Sequence, residues 1–180
     1  MAAQNPEHAW FPTERSAQEL ATVDEVNRAV TSPGYPKYMN AIMDVDQGAA
    51  VLLMSVREAA RLGIPEHKWV YLHGCADAYD WPTSAERAQL HRAPAMAMCA
   101  RKALQDARVS MPDVKHMDIY SCFPSAVQLA RREMGFEHIG DAQSERLTLT
   151  GGLPFHGGPG NNYSMHSVAA RPPLLVSDSS

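Results

Sequence analysis

The residues of this sequence that are equipped for chemistry cluster around one run, Leu149-Thr-Gly-Gly-Leu-Pro-Phe-His-Gly-Gly-Pro-Gly-Asn-Asn-Tyr-Ser-Met-His166. It carries Gly151, Gly152, Gly157, Gly158 and Gly160. Glycine loses more conformational entropy on folding than any other residue. Such density is kept where the backbone takes positive φ or where something must approach the main chain closely. Asn161 and Asn162 read as the N-cap of a short helix with Met165, Val168 and Ala169 on its apolar side. A glycine loop feeding a helix N-terminus points N–H groups at one spot, which suits an anion or an oxyanion. A long surface turn is the plainer alternative. His156 and His166 flank the loop, and an imidazole titrates near neutral pH, so each suits general acid–base work. His73 ends a predicted strand and has the same potential. Cys122, in Asp118-Ile-Tyr-Ser-Cys-Phe-Pro124, and Cys75, in His73-Gly-Cys-Ala-Asp77, each follow the C-terminal end of a predicted strand. Open α/β sheets bind ligands there; the other role of a free thiol is that of a small buried hydrophobe. Cys99 falls on an apolar helix face and reads as core.

The elements that must position these groups alternate. A capping box at Ser16-x-x-Glu19 predicts a helix from about Ala17 to Ala29, stopped by Pro33, Gly34 and Pro36. Residues 1–40 otherwise lack a core pattern and read as a linker or loop-lobe, with the main domain over 41–180. Gly48-Ala-Ala-Val-Leu-Leu-Met54 is a short continuous apolar run, as in a strand buried on both faces. A short helix follows at Arg57–Leu62, then a strand at Lys68–His73. Met96, Cys99, Ala100, Ala103, Leu104 and Ala107 share one face of a predicted helix begun by Pro94. Val114–Tyr120 gives a third strand, and Ser125-x-x-Gln128 caps a helix running toward Gly135. This order implies right-handed crossovers and an α/β fold with a mixed, mainly parallel sheet covered by helices. Arg171-Pro-Pro-Leu-Leu-Val-Ser-Asp-Ser-Ser180 leaves little for a closing strand, so the sequence reads as incomplete at its C-terminus.

Composition bounds the function. The chain has 180 residues, a hydrophobic fraction of 45% and a net charge of −4. That charge gives no electrostatic reason for nucleic acid or an anionic membrane as partner. Three widely spaced cysteines without a CxxC pair suit free thiols in a reducing compartment rather than disulfides or a zinc site. No signal-peptide pattern opens the chain, so a cytoplasmic location is expected. No HExxH, GxSxG, Walker or dinucleotide fingerprint occurs, and no metal or cofactor is expected. A cysteine or serine hydrolase using Phe155-His-Gly-Gly as its oxyanion segment would lack a nucleophile elbow.

Three blocks together resemble the C-terminal half of the thiolase superfamily, nearest the sterol-carrier-type thiolases and acetyl-CoA acetyltransferase-like proteins. They are Asp46-Gln-Gly-Ala-Ala-Val-Leu-Leu, Asp118-Ile-Tyr-Ser-Cys-Phe-Pro-Ser and Gly151-Gly-Leu-Pro-Phe-His-Gly-Gly-Pro-Gly. The resemblance implies a layered α/β half and acyl-CoA as substrate, with thiolysis or its reverse, Claisen condensation, as the reaction. It implies Cys122, His156 and Tyr120 as catalytic residues. Gly151, Gly152, Gly157, Gly158, Gly160, Asn161, Tyr163, His166 and His73 would bind substrate. Two departures stand out. The family's catalytic histidine aligns with Gly158, two residues after His156, and its polar oxyanion residue aligns with Tyr120. The half that carries the family's nucleophilic cysteine has no counterpart here. The expected function is therefore acyl-CoA acyltransferase-type chemistry completed by an N-terminal half or partner subunit, in a homo- or hetero-oligomer. The alternative is a non-catalytic half that completes another chain's site.

Overall fold

The computed structural model describes residues 1–30, 34–137 and 147–170. The expected closing strand beyond Arg171 and the glycine at Gly140 lie outside the described residues.

Helix α1 (Ala17–Ala21) begins as the sequence requires: Ser16 Oγ accepts from the Glu19 amide, and the Glu19 carboxylate accepts from the Ser16 N–H. It ends eight residues earlier than predicted. Asn27, fully buried, donates its side-chain amide to the carbonyls of Glu19, Leu20 and Thr22, while Asp24 Oδ1 accepts from Val26 and Asn27. These side chains offer the backbone partners that the helix would otherwise supply, and the helix stops. Asn27 Oδ1 also accepts from the Tyr38 N–H, which ties the turn at Lys37–Met39 to the end of α1.

Helix α2 (Val56–Arg61) starts at Ser55, whose hydroxyl accepts from the Glu58 N–H. Helix α3 (Pro94–Ala107) matches its prediction. Pro94 occupies the first turn and Arg108, in the left-handed region, ends it. Its predicted apolar face is half-buried, whereas Arg101, Lys102, Gln105 and Asp106 are exposed. Helix α4 (Pro124–Glu133) begins one residue before the predicted cap. Phe123 is the N-cap and Ser125 lies inside the helix, because Pro124 has no N–H to lose and its fixed φ suits the first position. Helix α5 (Tyr163–Ala169) follows a 3₁₀ turn at Gly160–Asn162. Asn162 precedes it as expected, but its side chain makes no capping bond.

The predicted strands are not seen as strands. Among the described residues no strand ladder forms, and the recorded isolated bridge is Ala29 with Pro36. Residues 48–54, 69–73 and 114–120 are without regular structure, and Lys68 belongs to a 3₁₀ turn. The run expected to be buried on both faces is open, with Leu52 and Leu53 86% and 90% exposed, and in the next predicted strand Leu72 is 79% exposed. A ladder needs the N–H and C=O groups of a neighbouring segment. Among the described residues no segment supplies them in register.

The core lies elsewhere. Ala130 and Phe136 are buried, and Met96, Met111, Met117, Ile119, Met134 and Leu147 pack on them. Glu133 staples the two long helices: its carboxylate accepts from Arg92 Nε at 2.5 Å and from the Ala93 N–H at 3.1 Å. The Arg92 guanidinium, then the Ala93 N–H, hold the Glu133 pKa down to about 2. A carboxylate with a depressed folded pKa stabilises the fold above the unfolded range, and this is lost as pH falls toward the folded value. Acid titration of thermal stability from about pH 4.5 to about pH 2.5 should therefore show a loss that Glu133→Gln removes. An unchanged acid slope in the variant would contradict the staple.

Candidate active site

The site is built where residues 118–123 meet the glycine run, and Asp118 makes the junction. Its Oδ2 accepts from the N–H groups of Leu149 and Thr150 at 2.8 and 3.1 Å, and from the hydroxyls of Thr148 and Thr150, each at 3.2 Å. Thr150 Oγ1 lies 2.8 Å from the Tyr163 hydroxyl, which brings α5 to the same point. Further along, Ser121 Oγ accepts from the Leu153 N–H at 3.2 Å. The Cys122 carbonyl accepts from Ala41, the Leu153 carbonyl from Ile42, and the Ile42 carbonyl from Gly158. Residues 41–42 thus lie between the two loops and bind both.

The glycines serve this close packing. Gly151, Gly152 and Gly157 have φ of 110°, 85° and 118°. A Cβ on Gly152 would stand 2.8 Å from Ser121 Oγ, and one on Gly157 would stand 2.2 Å from Gln47 Oε1. The expected convergence of loop N–H groups on an anion is not what forms. The N–H groups of Gly151, Gly152, Leu153, Phe155, His156, Gly158 and Gly160 all donate to protein acceptors. Positive φ and close approach by the protein's own side chains explain the glycines, not a nest of free donors.

His156 is buried within the loop, its ring centroid 5.1 Å from that of His166 and 6.1 Å from that of Tyr163. Its Nε2 is buried and has no hydrogen-bond partner among the described residues. Burial first, then the charges of His166 and His8, lower its pKa, with Asp118 opposing them. His166 is lowered by burial and then by His8. At neutral pH the pair is therefore uncharged, and His156 presents an imidazole suited to taking a proton. Tyr163 is held the other way. Burial, then the Asp118 carboxylate, push its pKa well up, so it stays a neutral phenol hydrogen-bonded to Thr150. Its ring forms a wall between Tyr120, at 5.5 Å, and His156.

Of the residues singled out in the sequence, the structure brings together Tyr120, His156, Tyr163, His166 and the glycines from Gly151 to Gly158. Cys122 is a free, half-buried thiol tied in through its carbonyl. Gly160 and Asn161 are exposed at the turn before α5. His73 stands apart: its ring contact is with Tyr71, and the adjacent Gly74 packs on the Ala103 carbonyl of α3. Cys75 is exposed and Cys99 half-buried on α3. Among the described residues no group of three or more His, Cys, Asp or Glu could hold a metal. Asp118, Ser121, Thr150 and Gln47 escaped the sequence reading, although all four sit in or beside the quoted blocks. Their polar types inside apolar surroundings were the available signal.

The two imidazoles make a pH prediction. Unfolded histidine binds its proton near pH ~6.5, whereas the folded rings do so only at lower pH. Their stabilisation is present above that pH and is lost as pH falls through the folded values. Melting temperature should therefore drop on going from about pH 7 to about pH 5, and His156→Gln should flatten the drop. The same slope in both proteins would contradict it.

No helix among the described residues is long and apolar enough to cross a membrane. No family model matches the sequence, and no curated protein matches it significantly. Among solved structures the chain is similar to a monomeric SCP2-thiolase-like protein type 1 from Mycobacterium smegmatis. The TM-score is 0.84 and the identity 44%, over 96% of this chain and 37% of that one. The chain thus spans little more than a third of that protein's length.

Proposed function

From the premise that the chain belongs to the thiolase superfamily, with a thiolase-like fold of the sterol-carrier type, we propose that it forms the acyl-thioester-binding part of an acyl-CoA acyltransferase-type enzyme. One observation carries this reading: the 120–123 segment and the glycine loop are stitched into one site around a buried, neutral His156 with Nε2 unengaged among the described residues. In the proposed chemistry His156 takes the proton from the carbon next to the thioester carbonyl, and the Tyr120 hydroxyl donates a hydrogen bond to the resulting enolate oxygen. Cys122 lines the acyl pocket beside them. The glycines shape its floor, and Gly160, Asn161 and His166 form its rim. No cofactor is needed beyond the coenzyme A thioester that serves as substrate. Gly158, where the family has histidine, argues for carbon–carbon bond chemistry that differs in detail from thiolysis.

The nucleophilic cysteine would come from an N-terminal thiolase half, whether joined to this sequence or carried by a partner subunit. The exposed Val51, Leu52, Leu53, Val70, Tyr71 and Leu72 support such a covering. Contiguous apolar patches above roughly 400 Å² mark partner surfaces or aggregation. The assembly would be a cytoplasmic oligomer acting in lipid metabolism. A non-catalytic half that only completes a partner's site is the second reading, favoured by the absence of histidine at Gly158.

The isolated chain should be oligomeric or poorly soluble, and silent in an assay that follows thioester cleavage of acetoacetyl-CoA. Covalent catalysis needs a nucleophile within hydrogen-bond reach of its base, about 3 Å, and here His156 has none of the family type to serve. Turnover by a monodisperse monomer, abolished by Cys122→Ser, would overturn this and make Cys122 the nucleophile.

A further inference from the structure

Gln47 lies where three separate parts of the chain meet the glycine loop. Its Nε2 donates to the His156 carbonyl at 2.8 Å and to the His8 carbonyl at 3.3 Å. Its own carbonyl accepts from Asn162 Nδ2 at 3.4 Å, and the same Nδ2 lies 3.2 Å from His166 Nε2. Its Oε1 is buried, without a hydrogen-bond partner among the described residues, and close to Gly157, where any Cβ would collide with it. The segment bearing His8 is fixed in turn, since the Trp10 and Phe11 N–H groups donate to the carbonyls of His156 and Phe155.

We propose that Gln47 is the positioning residue of this site. Its side-chain amide holds the backbone of His156 and the segment bearing His8, while its backbone carbonyl, through Asn162, holds His166, so that the two rings keep their facing geometry and His156 Nε2 stays buried without a protein partner among the described residues. This rests on the acyl-thioester reading of the site for its purpose, though not for its geometry. The groups that face His156 are His8 from the N-terminal segment, Asp118 from the neighbouring loop, and Tyr163 and His166 from α5. Without the Gln47 amide the His156 carbonyl keeps the Trp10 N–H but loses its second donor, and the His8 carbonyl loses this tie, which loosens the surround and lets water reach the ring.

Histidine C2 hydrogen–deuterium exchange, read peptide by peptide by mass spectrometry, reports both the accessibility and the titration midpoint of each ring. It tolerates an oligomeric sample. Gln47→Met keeps the length of the side chain and removes its hydrogen bonds. Exchange at His156 should then rise about tenfold, as expected for losing a buried hydrogen-bonded tether, and its midpoint should move up toward the ordinary histidine value. His73, distant from Gln47's contacts, should not change. Gln47→Glu should raise the His156 midpoint as well, because it replaces the donating amide with a carboxylate next to the His156 carbonyl. If His156 is unaltered in both variants, or if all histidines rise together, Gln47 does not position the ring. Binding of acetyl-CoA, measured separately by calorimetry, tells the two ideas apart. A response of His156 without any binding keeps the positioning role and removes the acyl-thioester reading.

Discussion

Asp118→Ala is expected to lower the unfolding free energy by about 4 kcal/mol, since orphaning a buried donor costs about 1–3 kcal/mol. The carboxylate oxygen Oδ2 receives two backbone N–H groups and two threonine hydroxyls. Alanine leaves no acceptor at that point, and the two backbone donors cannot rotate away. The hydroxyls can turn to other partners, which keeps the total below four full penalties. Asp118→Asn retains one acceptor oxygen and should cost about 1 kcal/mol, the difference between a charge-assisted and a neutral bond. Urea unfolding of the three proteins gives the comparison. A shift below about 1 kcal/mol for alanine would mean that solvent satisfies these donors in the folded state.

Gly151→Ala should cost about 3 kcal/mol, combining left-handed backbone strain with overpacking, each about 1–3 kcal/mol. At φ 110°, a Cβ there would meet Ala2 Cβ at 2.5 Å and the Ala2 nitrogen at 2.6 Å. Part of the strain is relieved by lifting the first turn, Ala2–Gln4, whose Ala2 is buried, off the loop. The variant should therefore also expose residues 1–11 to limited proteolysis. Gly160→Ala is the control: its φ is 60° and its surroundings are open, so it should cost about 1 kcal/mol. Equal costs at both positions would show that the contact with Ala2 is not formed.

What the sequence made legible followed local physics. The apolar period of α3, the capping box at Ser16 and the turn character of the glycine loop depend on neighbours a few residues away. The end of α1 was missed because Asn27, ten residues beyond the start of that helix, captures its carbonyls. The convergence of N–H groups on an anion was misjudged for a similar reason. Which acceptor each loop amide meets is decided by Ser121, Thr148 and Ile42, and their approach is set by tertiary packing. The apolar run at 48–54 announces that something buries it, and among the described residues nothing does. Pattern reading states that a surface is apolar; it does not name what covers it. The candidate site was legible as residue types in three blocks. The polar groups that assemble it, Asp118, Ser121, Thr150 and Gln47, were not, because their roles appear only when distant segments meet.

The central claim, that an acyl thioester occupies the site between Tyr120–Phe123 and the glycine loop, is tested most directly by the alkylation rates of the three cysteines. Iodoacetamide labelling of Cys75, Cys99 and Cys122, read by peptide mass spectrometry, is followed with and without acetoacetyl-CoA. The account predicts roughly tenfold protection of Cys122 at roughly ten times the dissociation constant, with exposed Cys75 unaffected. Labelling of Cys122 at the same rate with and without the thioester, or equal slowing at all three cysteines, would contradict it.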